Sequence, residues 1–325
     1  MSEKKITKPV NPQASEEVRR VLEYLGQISG NQIITGQHTQ TTEQAELQYI
    51  QKVTGKLPAL CGFELLGYSP NINYDDADEA CLKEVRENIG TLNNALEWAK
   101  NRKGLITFTW HWFSPLGGRD KSFYAYNTDF DPIQAITPGT PEHKALMSDM
   151  DFMADKLKIF RDLHIPILWR PFHEADGDWF WWGSKISREV SAKLFRLMYD
   201  RYTHFHGLNN LIWVWNSPKP YNYPGDDVVD IITRDLYPPK HTHLTLRAEY
   251  EEMTSITHAP KLAAIGEIGT LPDVEKLCED HVPLCWYMTW SNDFCLGEEW
   301  NSNEQLIKTY NSKYAITLDK LPELY

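Results

Sequence analysis

The chain has 325 residues, 42% hydrophobic and 24% charged, a length that fits one large unit or two ordinary ones and secures a sizeable core. No run of about 20 apolar residues occurs, which rules out a hydrophobic helical span, and the composition rules out fibrous and disordered classes. The net charge of −12, from 33 basic and 45 acidic residues, disfavours nucleic acid or an anionic membrane as partner.

The start, MSEKKITKPVNPQAS, lacks the apolar stretch of a secretory signal, so as it stands the sequence reads as cytoplasmic, or as secreted with a leader removed. Residues 1–14 are expected to form a flexible segment ahead of a single folded unit, the whole spanning 1–325. Apolar residues then recur at three- and four-residue spacing over 15–30, predicting a half-buried helix opened by Ser15. Eight short runs rich in Ile, Val, Leu and aromatics follow: 32–38, 58–65, 104–112, 165–174, 210–217, 228–237, 261–269 and 283–293. Between them lie helix-permitting stretches, the strongest at 79–101, 141–163 and 186–203. Residues 113–140, with Gly117, Gly118, Pro138 and Gly139, read as a long loop after the third run, and loops of that length are commonly functional.

Eight strands each followed by a helical stretch predict an α/β fold, a single (β/α)8 TIM barrel, whose usual size of about 250 residues leaves room for insertions. Each run turns polar or ionisable at its C-terminal end: His38, Glu64, His111, Glu174, Asn216, Tyr237, Glu267 and Asp293. Barrel enzymes carry their chemistry at that rim. The five cysteines, Cys61, Cys81, Cys278, Cys285 and Cys295, form no C-x-x-C pair and are odd in number, which predicts buried thiols rather than a disulfide framework.

The densest local pattern is WRPFHEADGDWFWWG, residues 169–183. It places Glu174 beside Trp179, Phe180, Trp181 and Trp182. Aromatic faces stack on sugar rings, and apolar surroundings raise a glutamate pKa toward what a general acid needs near neutrality. The same aromatics, Trp181 and Trp182 above all, could instead plug the space between barrel and helices. A second carboxylate, Glu267 in IGEIG, ends the seventh run on the same rim. Two facing carboxylates are the requirement of glycoside hydrolysis. His38, His111 and His173 could converge on zinc, but no H-x-H or H-E-x-x-H spacing supports a site, so neither metal nor cofactor is expected. A G-x-S-x-G elbow and a Gly-rich phosphate loop are both missing. Trp110, Tyr237 and Trp290 are further candidate walls of a cleft, Tyr237 also as a hydroxyl partner for a carboxylate.

WRPFHE, WFWWG, LIWVWN, YPGDDVVDIITRDLY and GEIG, in that order, resemble glycoside hydrolase family 26, the β-mannanases, from ITGQH at 34–38 to MTWSND at 288–293. The resemblance implies a (β/α)8 barrel and a retaining endo-β-1,4-mannanase acting on β-mannan, glucomannan, galactomannan or manno-oligosaccharides; separately, a monomer is expected. It implies Glu174 as acid/base and Glu267 as nucleophile, with His111, His173, Trp179, Asp235, Tyr237 and Trp290 around the cleaved bond. Glu64 stands where the family's GFD motif is expected to carry Asp. Two other readings fit the residues: a β-1,3-xylanase or mixed-linkage β-glucanase on the same catalytic pair, and a non-catalytic carbohydrate-binding protein, which would not need both acids.

Overall fold

The computed structural model describes residues 7–40, 42–116, 122–183 and 189–325. Eight strands, β1 (Ile33–Thr39), β2 (Leu60–Glu64), β3 (Leu105–Thr109), β4 (Ile167–Trp169), β5 (Leu211–Asn216), β6 (Ile231–Leu236), β7 (Leu262–Ile268) and β8 (Trp286–Thr289), pair in parallel and in order. β1 joins both β2 and β8, so the sheet closes into a (β/α)8 barrel. A short β9 (Ala315–Ile316) adds to β1 below the start of β2.

Helices α1 (Glu16–Ile28), α2 (Ala45–Thr54), α3 (Glu79–Asn88), α4 (Thr91–Arg102), α5 (Pro132–Ala135), α6 (Pro141–Asp162), α7 (Val190–Asp200), α8 (Arg247–Thr254), α9 (Val274–Glu279) and α10 (Asn303–Asn311) complete the fold. None of the described helices is long and apolar enough to cross a membrane. The helical stretch expected over 79–101 is two helices, because Gly90 turns left-handed between them and gives its N–H to the Tyr68 hydroxyl. The β5–β6 connection carries only a 3-10 turn, Pro220–Asn222, where a helix was expected. Of the expected loop 113–140, Gly117 and Gly118 lie outside the described residues, as do residues 186–188 of the expected helix over 186–203.

Alternation along each strand sends every second side chain into the barrel. Ile34, Leu60, Leu105, Leu168, Ile212, Ile231, Leu262 and Trp286 fill its lower interior. Val18, Val21, Leu22, Leu25 and Ile28 of α1 join that same buried cluster. α1 therefore caps the N-terminal mouth with the apolar face its periodicity announced. Of the segment expected to be flexible, residues 1–6 lie outside the described residues. Over residues 7–14, the Val10 N–H donates to Asp230 (2.7 Å), the Tyr199 hydroxyl donates to the Val10 carbonyl (3.1 Å), and Asn11 and Ala14 are buried. All five cysteines are buried and outside any disulfide.

The same inward parity ends, at the C-terminal rim, in His38, Glu64, Thr109, Asn216 and Asp235. Strand β7 breaks the parity. Arg234 pairs with Ile265 but Asp235 pairs with Glu267, so Gly266 is an extra residue in a β-bulge. Ala264 lies in the interior cluster and Ile265 in the outer one. An unbroken strand would therefore turn Glu267 outward, and the bulge brings it back beside Asp235.

Candidate active site

Beyond Trp169 the chain makes a tight turn through Arg170, Pro171, Phe172, His173 and Glu174. Phe172 and Glu174 are both left-handed, at φ 52, a conformation uncommon for non-glycine residues. Hydrogen bonds hold the turn. The Glu174 N–H donates to Asn216 Oδ1 (2.6 Å), the Ala175 N–H to the Asn216 carbonyl (3.3 Å), and the Gly177 N–H to the Glu174 carbonyl (2.9 Å). The Glu174 carboxylate accepts from Trp179 Nε1 at 2.6 Å. Burial, and next the negative charge of Glu267, push its pKa up to about 7.

Glu267 is gripped on both oxygens, by Arg170 Nη2 on one and by the Tyr237 hydroxyl at 2.7 Å on the other. Arg170, itself buried, also donates from Nη1 to Asp235 Oδ2 (2.9 Å), while Asn216 Nδ2 donates to Asp235 Oδ1 (2.8 Å). Burial pushes the Asp235 carboxyl upward and Arg170 opposes it. With each oxygen facing a donor, the carboxylate is the form these partners fit. Oxygens of Glu174, Asp235 and Glu267 all come within 4.8 Å of one another, and Arg170 supplies the positive charge set against them.

A second charged pair lies across the floor. Glu64, buried at the end of β2, accepts from the N–H groups of His111 and Leu66 (2.8 Å each), from Thr109 Oγ1 (2.7 Å) and from His111 Nδ1 (2.7 Å). Burial opposes charge on both partners, but their pairing wins, taking Glu64 down to about 2 and His111 up to about 9. The resulting imidazolium meets His173 through Nε2 at 3.1 Å. Burial and then the His111 charge hold His173 far below its ordinary value, so His173 accepts that hydrogen bond as a neutral ring. His38 lies apart, its Nε2 3.4 Å from Thr109 Oγ1 and its ring stacked at 4.0 Å on Trp290. The three histidines weighed as zinc ligands are thus engaged elsewhere.

The site opens through a cavity of about 240 Å³ lined in part by Glu174, Trp179, Arg234, Asp235 and Tyr237. Trp179 and Tyr237 are 43% and 44% exposed at its edge, and Trp290 is half-buried. The structure therefore brings Glu174, Glu267, His111, His173, Trp179, Asp235, Tyr237 and Trp290 together. Trp110 departs from expectation. It is 2% exposed, stacks on Trp112 at 4.0 Å and donates to Ser69 Oγ at 2.9 Å. Its ring is packing behind the site, because Trp110 follows the inward Thr109 and keeps the outward parity of Ile106 and Phe108. Trp181 and Trp182 are buried as the plug reading would have them, with their Nε1 groups on the carbonyls of Trp112 and His173. Arg170 was not singled out, and Asn216 and Glu64 were named at the rim without a role. A buried arginine in a strand-end motif must find carboxylates, which is the signal that could have raised Arg170.

Comparison with known proteins gives concordant results. A mannan endo-1,4-beta-mannosidase of Thermothelomyces thermophilus is 36% identical, the match covering 96% of this chain and 62% of that protein. Mannan endo-1,4-beta-mannosidase A of Piromyces is 31% identical, covering 96% of this chain and 50% of that one. The chain thus spans between half and two thirds of the length of these curated relatives. Among solved structures, a β-mannanase from a symbiotic protist of the termite Reticulitermes speratus, complexed with gluco-manno-oligosaccharide, superposes with a TM-score of 0.88 at 31% identity, covering 99% of this chain and 100% of that one. The GH26-CBM35 β-(1,4)-mannanase of Podospora anserina gives 0.87 at 32% identity, covering 100% and 71%. Residues 10–320 match the family model described as Glycosyl hydrolase family 26, and the chain belongs to that family.

Proposed function

We propose that this chain is a retaining endo-β-1,4-mannanase in which Glu174 is the acid/base and Glu267 the nucleophile. One observation carries the reading. One oxygen of each carboxylate lies within 4.8 Å of one of the other, an approach that favours a retaining pair, whose carboxyl groups are about 5–5.5 Å apart, over the about 6.5–9.5 Å that leaves room for an inverting water. Their environments also differ as the two roles require. Glu174, raised to about 7, holds a proton for the glycosidic oxygen at neutral pH. Glu267 is fixed by Arg170 and Tyr237 for attack on the anomeric carbon.

In the first step the glycosidic bond breaks as Glu267 bonds to the sugar and Glu174 protonates the departing oxygen. In the second, Glu174 takes a proton from water, which displaces Glu267 and frees the reducing end. Trp179, exposed beside Glu174, is placed to stack on the sugar leaving with that oxygen. Trp290, His111 and Tyr237 face the ring under attack, with His173 and Asp235 behind them. The relatives' names support β-1,4-mannan as substrate, and the gluco-manno-oligosaccharide bound by a structural neighbour supports tolerance of glucose in the chain.

The test is reducing-sugar release from linear β-1,4-mannan, glucomannan and galactomannan by wild type, Glu174→Ala and Glu267→Ala, with product lengths and anomeric configuration resolved. Wild type is expected to give a ladder of β-anomers, with turnover that declines on the alkaline side as Glu174 loses its proton. Glu267→Ala is expected to be inactive. α-Anomers, or wild-type turnover in Glu267→Ala, would refute the assignment, and activity confined to xylan or mixed-linkage glucan would move the substrate.

A further inference from the structure

We infer that Asn216 is a positioning residue whose single amide holds the acid turn and the nucleophile's support in one fixed arrangement. The inference rests on the reading of Glu174 and Glu267 given above. Asn216 ends β5 with the inward parity of Ile212 and Val214, is 1% exposed, and uses every polar atom of its side chain. Oδ1 accepts from the Glu174 N–H at 2.6 Å. Nδ2 donates to Asp235 Oδ1 at 2.8 Å and to Thr233 Oγ1 at 3.0 Å.

The orientation of that amide follows from its partners. A backbone N–H can only donate, so the atom facing Glu174 is the oxygen. The Thr233 hydroxyl gives its own proton to the Trp215 carbonyl at 3.0 Å and must accept from Asn216. Asp235 spends its other oxygen on Arg170, which reaches Glu267. A continuous chain thus runs from the main chain of Glu174 through Asn216, Asp235 and Arg170 to the carboxylate of Glu267. Glycine at 266 leaves room for this chain. A Cβ there would stand 2.7 Å from Asn216 Nδ2 and 2.5 Å from Asp235 Oδ1.

What Asn216 holds is a left-handed glutamate. Without the acceptor at Oδ1, the Glu174 N–H is buried and unpaired, and the turn gains by relaxing toward ordinary φ. Its carboxyl would then move away from Trp179 and Glu267. The groups that bear on Glu174 are Glu267, His111 and Arg170, with Asp235 alongside. Swinging the carboxyl toward water removes burial and the Glu267 charge, the two influences that raise it.

The experiment compares wild type, Asn216→Ala and Asn216→Asp on two substrates: mannan, whose sugar leaving group needs the proton, and a dinitrophenyl β-mannobioside, whose leaving group departs without one. In parallel, Glu174 is titrated by NMR with carboxyl-13C glutamate, its signal assigned by Glu174→Gln. Asn216→Ala is expected to lose about 100-fold in kcat/KM on mannan, the scale of a misplaced catalytic group, and under about tenfold on the dinitrophenyl substrate. Its Glu174 midpoint is expected to fall from about 7 toward the ordinary 4.5. Equal losses on both substrates, or an unmoved midpoint, would overturn the inference. Asn216→Asp keeps the shape and the acceptor for the Glu174 N–H. It is expected to lose activity evenly on the two substrates through Asp235, and a loss skewed toward mannan would overturn the inference even if Asn216→Ala does not fold. The titration needs no turnover, so a wild type that cleaves neither substrate would count against the proposed function while the titration still decides the role of Asn216.

Discussion

Glu64 and His111 form an enclosed ion pair of the cleft floor, with side chains 1% and 12% exposed, and replacing Glu64 by Gln isolates what the pair contributes. Glu64 goes from its ordinary 4.5 down to about 2 and His111 from 6.5 up to about 9. At about 1.4 kcal/mol per pH unit, either departure corresponds to about 3 to 4 kcal/mol. The two describe one interaction, so the figure is counted once. It falls at the low end of the about 3–5 kcal/mol lost when one member of a buried pair is removed.

The pH dependence has a definite sign on each side. Glu64 is depressed in the folded state, so its contribution is complete above about pH 4.5 and disappears as pH falls through about 2. His111 is raised, so its contribution is complete below about pH 6.5 and disappears as pH rises through about 9. The pair therefore stabilises most between about pH 4.5 and 6.5. For a chain this long, about 2 °C accompanies each kcal/mol, so Glu64→Gln is expected to melt about 6 to 8 °C below wild type at pH 6. That gap should narrow by more than half at pH 10, where His111 is neutral in both proteins. Scanning calorimetry across this range is the assay. A gap constant from pH 6 to pH 10 would refute the imidazolium at His111, and with it the neutral, accepting His173.

Two further substitutions probe the other half of the floor. Tyr237→Phe removes the hydroxyl that donates to Glu267 at 2.7 Å; a hydrogen bond to a charged group is worth about 1.5–3 kcal/mol, so kcat/KM on mannan is expected to fall about 10- to 100-fold. The fall should be equal for good and poor leaving groups, and a loss confined to poor ones would place the hydroxyl with the acid instead. Gly266→Ala puts a methyl 2.5 Å from Asp235 Oδ1 and 2.7 Å from Asn216 Nδ2, closer than either can tolerate. The variant is expected to fold, because the clash is confined to side chains at the rim, but to lose at least about 100-fold in turnover, and near wild-type turnover would contradict the packing of this bulge.

How far the molecule was legible in its sequence depends on whether a signal is local. Seven of the eight barrel strands fall within the apolar runs and β1 overruns its run by one residue, Thr39, since a strand buried on both faces is written in its own composition. Gly90, which splits the helical stretch, and the helix-free link after β5 were not foreseen, because helical periodicity survives a single left-handed residue and helix-permitting sequence need not become helix. Among the candidate site residues, those named from motifs at strand ends lie together at the rim. Trp110 was placed in the cleft on adjacency alone, and the outward parity it shares with Ile106 and Phe108 carries its ring elsewhere.

Glu267 shows the limit most clearly. Counting inward from Leu262 and Ala264 assigns it to the outer face of β7, where a carboxylate could do nothing to a sugar in the barrel mouth. Only the extra residue at Gly266 turns it in beside Asp235, and the bulge is stable because Arg170 and Tyr237 bind the carboxylate once it arrives. Those partners come from just beyond β4 and just beyond β6, 97 and 30 residues away in sequence. A glycine before a strand-end glutamate is compatible with either face. What decides is a set of donors brought together by barrel closure, so the position of the proposed nucleophile is a property of the closed barrel and not of the seventh strand.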